Sequence, residues 1–92
     1  MPVFSYLKLS FFDGTDFSKV DKDTDMLMNL SKSQKGFQWA ELYKDPKDPK
    51  VYLIVSLWDA VEDVRAWEHH PDHEAVMNKY PYNIVHKRYS PL

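Results

Sequence analysis

Val51-Tyr52-Leu53-Ile54-Val55-Ser56-Leu57-Trp58, running straight into Asp59-Ala60-Val61-Glu62-Asp63-Val64-Arg65-Ala66-Trp67, is the stretch that decides the fold. Its first half is rich in β-branched and aromatic residues and reads as a strand. One face of that strand carries Val51, Leu53, Val55 and Leu57, and the other carries Tyr52, Ile54 and Trp58, so both faces are apolar. Its second half changes period: Val61, Val64 and Trp67 recur three apart on one helical stripe, and Asp59 with Glu62 has the spacing of a capping box at the helix start.

Upstream, Val3 to Phe12 reads as a strand that ends at the turn dipeptide Asp13-Gly14. Phe17, Val20, Leu27 and Leu30 mark one face of a helix running to about Ser33 and closed by Gly36. Phe37, Trp39, Glu41 and Tyr43 alternate along a second strand, and the Pro46 and Pro49 segment after it reads as an exposed loop. Downstream, Pro71 ends the helix after Val51–Trp58 and opens a short one from Asp72 to about Lys79, and Tyr82 to Tyr89 alternates as the last strand. The order strand, helix, strand, strand, helix, strand predicts an α+β, ferredoxin-like βαββαβ domain with helices on one face of an antiparallel sheet. Phe4 and Tyr6 oppose Val3, Leu7 and Leu9 on the first strand, so its two faces are also apolar. Two helices cover only one face, and a second copy of the chain, packed sheet to sheet as a dimeric α/β barrel, is the expected cover for the other.

The chain has 92 residues, the length of one small domain spanning 1–92, with a core thin enough to gain from a partner subunit. It has no cysteine, which excludes disulfides, thiolate metal sites and a thiol nucleophile. Its 2 glycines form no phosphate-binding loop. A formal charge of −2, with no basic block, leaves no footprint for nucleic acid. No apolar run is long enough to span a bilayer and no basic lead precedes an apolar stretch at the N-terminus, so a cytoplasmic, membrane-free protein is expected. Aromatic residues make up 15% of the chain, enough for an aromatic-lined pocket or a large subunit interface.

The residues able to do chemistry are few. Trp67 can wall a pocket and donate from its indole N–H; His73 and His86 are candidate bases; Tyr6, Tyr82 and Arg88 are candidate donors. Trp39 and Trp58 fit a hydrophobic core as well as a pocket wall, and packing is the plain alternative for Trp67 and His73 too. His69, His70 and His73 have metal-like spacing, but Pro71 interrupts the register and no further carboxylate or cysteine completes the set, so no metal is expected.

From Leu53 to His73 the chain resembles the antibiotic biosynthesis monooxygenase-like proteins of the dimeric α/β-barrel superfamily. Their pattern is a strand ending in Trp, an acidic helix start, a Trp or His nine positions later, and then Pro-x-His; Trp58, Trp67, Pro71 and His73 stand at those positions. The resemblance implies a homodimer with one pocket per subunit between helices and sheet. It further implies either a cofactor-independent monooxygenase acting on a small aromatic or hydrophobic molecule, or a haem-degrading relative. On that reading Trp67, His73 and Arg88 carry catalysis, and Tyr6, Trp39, Trp58, Tyr82 and His86 bind substrate. The haem-degrading pattern departs from this chain at two points, because Met77 stands where those relatives have their iron-binding His and residues 3–12 hold no Asn. Oxygen chemistry without metal or flavin needs an apolar pocket, a base to form an enolate or phenolate, and donors for its oxygen. A non-catalytic binding or stress-response barrel on the same scaffold is the alternative.

Overall fold

The computed structural model describes residues 1–91, in which β1 (Val3–Phe11), α1 (Phe17–Ser31), β2 (Phe37–Lys44), β3 (Val51–Trp58), α2 (Val61–Glu68), α3 (Pro71–Met77) and β4 (Tyr82–Tyr89) follow in order. The strands form one antiparallel sheet in the order β2-β3-β1-β4, the ferredoxin-like arrangement expected from the element order. Both apolar strands, β1 and β3, therefore occupy the interior of the sheet, and β2 and β4 are its edges. The register sets Ser5 opposite Ser56 on one side and opposite Arg88 on the other, and sets Leu7 between Ile54 and His86.

The three helices cover the face to which the odd-numbered residues of β1 point. Val3 packs with Leu27 of α1, Val64 and Trp67 of α2 and Val76 of α3, all around Trp58, which is almost fully buried. Leu9 and Phe11 form a second cluster with Val20 and Tyr52. Val20, Thr24, Leu27 and Ser31 make the buried stripe of α1, and the Thr24 hydroxyl is satisfied by the Val20 carbonyl at 2.8 Å. Asp16 caps this helix, accepting from the backbone N–H of Ser18 at 3.1 Å and of Lys19 at 3.4 Å.

Two local expectations are corrected. The Asp59 and Glu62 capping box does not form: Ala60 stands at the N-cap of α2 without a side-chain bond. The Asp59 carboxylate instead accepts from Gln38 Nε2 at 2.8 Å, and its N–H donates to the Gly36 carbonyl at 2.8 Å, so it joins the end of β3 to the start of β2. A β-bulge between Phe37 and Trp39 also breaks the simple alternation of β2. Phe37 turns to the helix side, edge-on to Trp58 with ring centroids 5.4 Å apart, and Trp39 turns to the other face against Phe4.

That other face, formed by Phe4, Tyr6, Trp39, Tyr43, Leu53, Val55, Leu57, Val85 and Tyr89, is covered by no helix. Its outer members are exposed, Trp39 by 40%, Tyr43 by 50% and Tyr89 by 51%.

Gly36 is constrained twice, by a φ of +80° and by the Asp63 side chain, which a Cβ at this position would strike. Gly14 has a φ of +84° but open space around it. Gly14→Ala should therefore cost only the left-handed strain, about 1 kcal/mol, whereas Gly36→Ala should cost about 2–3 kcal/mol in a chemical denaturation experiment. Equal losses would show that α2 shifts freely away from the turn.

Candidate functional site

Between the helix layer and the sheet lies a cavity of about 390 Å³. Its floor is the inward row of the sheet, including Ser5, Leu7 and Leu9 of β1, Ile54, Ser56 and Trp58 of β3, and Tyr82, Ile84, His86 and Arg88 of β4. Its roof comes from Val20, Thr24 and Leu27 of α1, Trp67 and Glu68 of α2, and His73, Val76 and Met77 of α3. Ile84, on the edge strand, is 49% exposed although it lines the cavity, so the space opens along β4.

Trp67 is held over Trp58, with near-parallel rings at 24° and centroids 6.5 Å apart. The Trp58 indole N–H donates to Ser56 Oγ at 2.9 Å, whereas the Trp67 indole N–H has no protein acceptor among the described residues. His73 packs edge-on to Trp67 with centroids 5.0 Å apart. Its Nδ1 lies 3.1 Å from the Glu68 carbonyl oxygen, which can only accept, so Nδ1 carries the proton and Nε2 is left with its lone pair. Burial holds the His73 imidazole below its ordinary value of 6.5, opposed by the Glu68 carbonyl and carboxylate, reinforced by His70 and opposed again by Glu74. The ring is therefore a neutral base at neutral pH.

Glu68, the last residue of α2, reaches across to the edge strand. Its Oε2 lies 2.9 Å from His86 Nε2 and its Oε1 pairs with the Arg88 guanidinium. At the other end of the cavity the polar groups are tied to the frame. The Tyr82 hydroxyl donates to the Met77 carbonyl at 2.8 Å, and burial raises its pKa. The Tyr80 hydroxyl donates to Asp23, and its pKa is pushed up to about 12 by desolvation and then by that carboxylate. Lys79 adds an ion pair to Asp23 at 2.9 Å, so α1 is fastened to the segment leading into β4.

Of the side chains expected to act together, the structure brings Trp58, Trp67, His73, Tyr82, His86 and Arg88 to this one cavity. It does not bring Tyr6 or Trp39. Tyr6 alternates with Ser5 and Leu7 and so points to the opposite face, where it borders a shallow depression with Lys8, Tyr43 and Leu53. Trp39 is carried to that same face by the bulge. Glu68, Ser5 and Ser56 were missed. Visible signals existed for all three: His86 and Arg88 share a strand face and want a carboxylate, and the two serines are hydroxyls set within apolar inward rows.

Among the described residues no group of three or more His, Asp or Glu side chains is placed to hold a metal ion. His69 turns outward to Glu74 at 3.5 Å while His73 turns inward, so the two do not converge. No described helix is long and apolar enough to cross a membrane.

The stability contributed by neutral His73 is fully present above its unfolded value of 6.5 and is lost as pH falls through it, because the unfolded chain takes up a proton that the folded ring resists. Melting temperature should therefore drop between about pH 7.5 and pH 5, and His73→Gln should flatten part of that drop. An identical pH profile in the variant would place the ring in solvent.

The family model described as antibiotic biosynthesis monooxygenase matches residues 24–79, more than half of the chain. No curated protein matches the chain. Among solved structures, Rv0793 from Mycobacterium tuberculosis is 10% identical, with a TM-score of 0.85 over 100% of this chain and 96% of its own. PA3566 from Pseudomonas aeruginosa is 13% identical, with a TM-score of 0.85 over 99% of this chain and 94% of its own. SnoaB, a cofactor-independent oxygenase from Streptomyces nogalater, is 12% identical, with a TM-score of 0.83 over 99% of this chain and 93% of its own. At these identities the likeness is one of fold.

Proposed function

Since the chain belongs to the antibiotic biosynthesis monooxygenase family, we propose that it oxidises a small aromatic or otherwise hydrophobic molecule with dioxygen, without metal or flavin, inside the cavity between helices and sheet. The observation that carries this reading is a neutral base, His73, packed against the Trp67 indole in a chamber that also holds a broad apolar wall. A phenol or enol held there gives its proton to His73 Nε2, and the resulting anion is electron-rich enough to pass one electron to dioxygen. Superoxide and the substrate radical combine at carbon, the peroxide anion takes back the proton held by His73, and the hydroperoxide loses water to leave a carbonyl. One oxygen atom of dioxygen thus enters the substrate in place of two hydrogens and the other leaves as water. The Trp67 indole N–H is the donor available to the substrate oxygen as its charge develops. Binding without turnover is the second reading, favoured by Glu68, whose carboxylate already engages Arg88 and His86.

Oxygen uptake with a panel of polycyclic phenols tests the catalytic reading. Trp67→Phe should lose about 1–2 kcal/mol of stability, and both it and His73→Ala should slow uptake by roughly 10–100-fold. Variants that melt earlier yet consume oxygen at the unmodified rate would leave both residues with packing roles only.

We also propose that a second copy of this chain covers the exposed apolar face carrying Trp39, Tyr43, Val85 and Tyr89, because an uncovered patch of this kind is rare on a monomer. Light scattering at micromolar concentration should report a dimer, and Tyr89→Glu should shift it toward monomer. A monomeric unmodified chain would contradict the proposal.

A further inference from the structure

The inward rows of the sheet are apolar at most levels and polar at one. Ile84 of β4 aligns with Leu9 and Tyr52, and His86 aligns with Leu7 and Ile54. At the next level Arg88 aligns with Ser5, and Ser5 with Ser56. Ser5 is 6% exposed and borders the cavity, and among the described residues no side-chain hydrogen bond ties its hydroxyl to the frame. The hydroxyl oxygen is not a buried unpaired atom, so it is reached from the cavity and is open to a ligand there. Ser56 Oγ accepts the Trp58 indole N–H at 2.9 Å, which leaves its own O–H free to donate. Three donors thus stand in a row across the floor.

What closes the row is a carboxylate. Glu68 lies at the C-terminal end of α2, where the helix dipole disfavours negative charge. Its side chain, 20% exposed, is held there by Arg88 and by His86 Nε2 at 2.9 Å. Partly exposed and outside the buried core cluster, it can turn to solvent while Trp67 stays packed on Trp58.

We propose that Arg88, Ser5 and Ser56 form the head-group site for a ligand carboxylate, and that Glu68 is the internal carboxylate which this group displaces. The apolar remainder of the cavity, between Trp67, Leu9, Ile54 and Met77, takes the hydrophobic body. This rests on the cavity being the binding site, and narrows the substrate class to hydrophobic or aromatic carboxylic acids. One ligand oxygen takes the guanidinium released by Glu68 while the other accepts from the serine hydroxyls, so charge and hydrogen bonding act on the same group. The neutral amide of the same shape lacks the charge.

Calorimetric titration of the full chain with 2-naphthoate and with 2-naphthamide tests the proposal without requiring turnover. The carboxylate should bind about tenfold more tightly than the amide, and Arg88→Gln should reduce that preference to within about twofold. Ser5→Ala should weaken naphthoate by roughly fivefold. Glu68→Gln, which removes the internal competitor, should strengthen naphthoate by about tenfold and leave the amide unchanged. Glu68→Asp, whose carboxylate is too short to reach β4, should give the same gain if the first variant folds poorly. Equal affinity for the two probes, or weaker naphthoate binding in both Glu68 variants, overturns the head-group site and leaves the cavity reading intact. Binding of neither probe overturns both.

Discussion

The stacking of Trp67 on Trp58 is the contact from which the site is built. Only Asp59 and Ala60 separate the end of β3 from the start of α2, so the helix has to fold back over the strand it leaves. Trp58, almost fully buried, supplies the surface it lands on. With Trp67 seated, the next residue, Glu68, is delivered over the edge strand, and the turn into Pro71 sets His73 against the Trp67 ring. The stacking itself is worth about 0.5–1.5 kcal/mol beyond the area buried. Its larger consequence is positional, because the carbonyl that orients the base and the carboxylate that reaches β4 both belong to Glu68, the residue after Trp67, while the base itself packs on the Trp67 ring.

Polarity within the cavity is sorted along the strands. Toward Tyr82 the hydroxyls are committed to the frame, Tyr82 to Met77 and Tyr80 to Asp23, and they leave an apolar chamber. Toward Arg88 the groups are paired with one another, as Glu68 is with Arg88, or left open to the cavity. A ligand with one polar end fits such a gradient in a single orientation, which is the condition for placing one reactive carbon consistently.

Much of this was legible in the sequence, and the gaps have physical causes. The bounds of β3 and β4 follow from apolar alternation and proline, because strands ending at prolines and turns leave little latitude. Trp58, Trp67 and His73 could be read as neighbours because strand, linker and helix are consecutive. Tyr6 and Trp39 lie across the sheet from the cavity, Tyr6 by strict alternation with Ser5 and Leu7, and Trp39 by a bulge that the pattern Phe37, Trp39, Glu41, Tyr43 does not reveal. Asp59 resembles a cap by spacing, yet this carboxylate, two residues ahead of the helix, meets the Gln38 amide of β2 instead. Glu68 escaped notice because its partners His86 and Arg88 lie on a distant strand, and a glutamate at a helix end reads as solvated surface.

The central claim is that His73 is a neutral base with a free Nε2, oriented by the Glu68 carbonyl. Nitrogen-15 NMR of the imidazole groups, titrated across the neutral range, tests it directly. The account predicts that His73 is in the Nδ1–H tautomer at neutral pH and takes up its second proton below its ordinary value of 6.5. An Nε2–H tautomer, or protonation above 6.5, would contradict it.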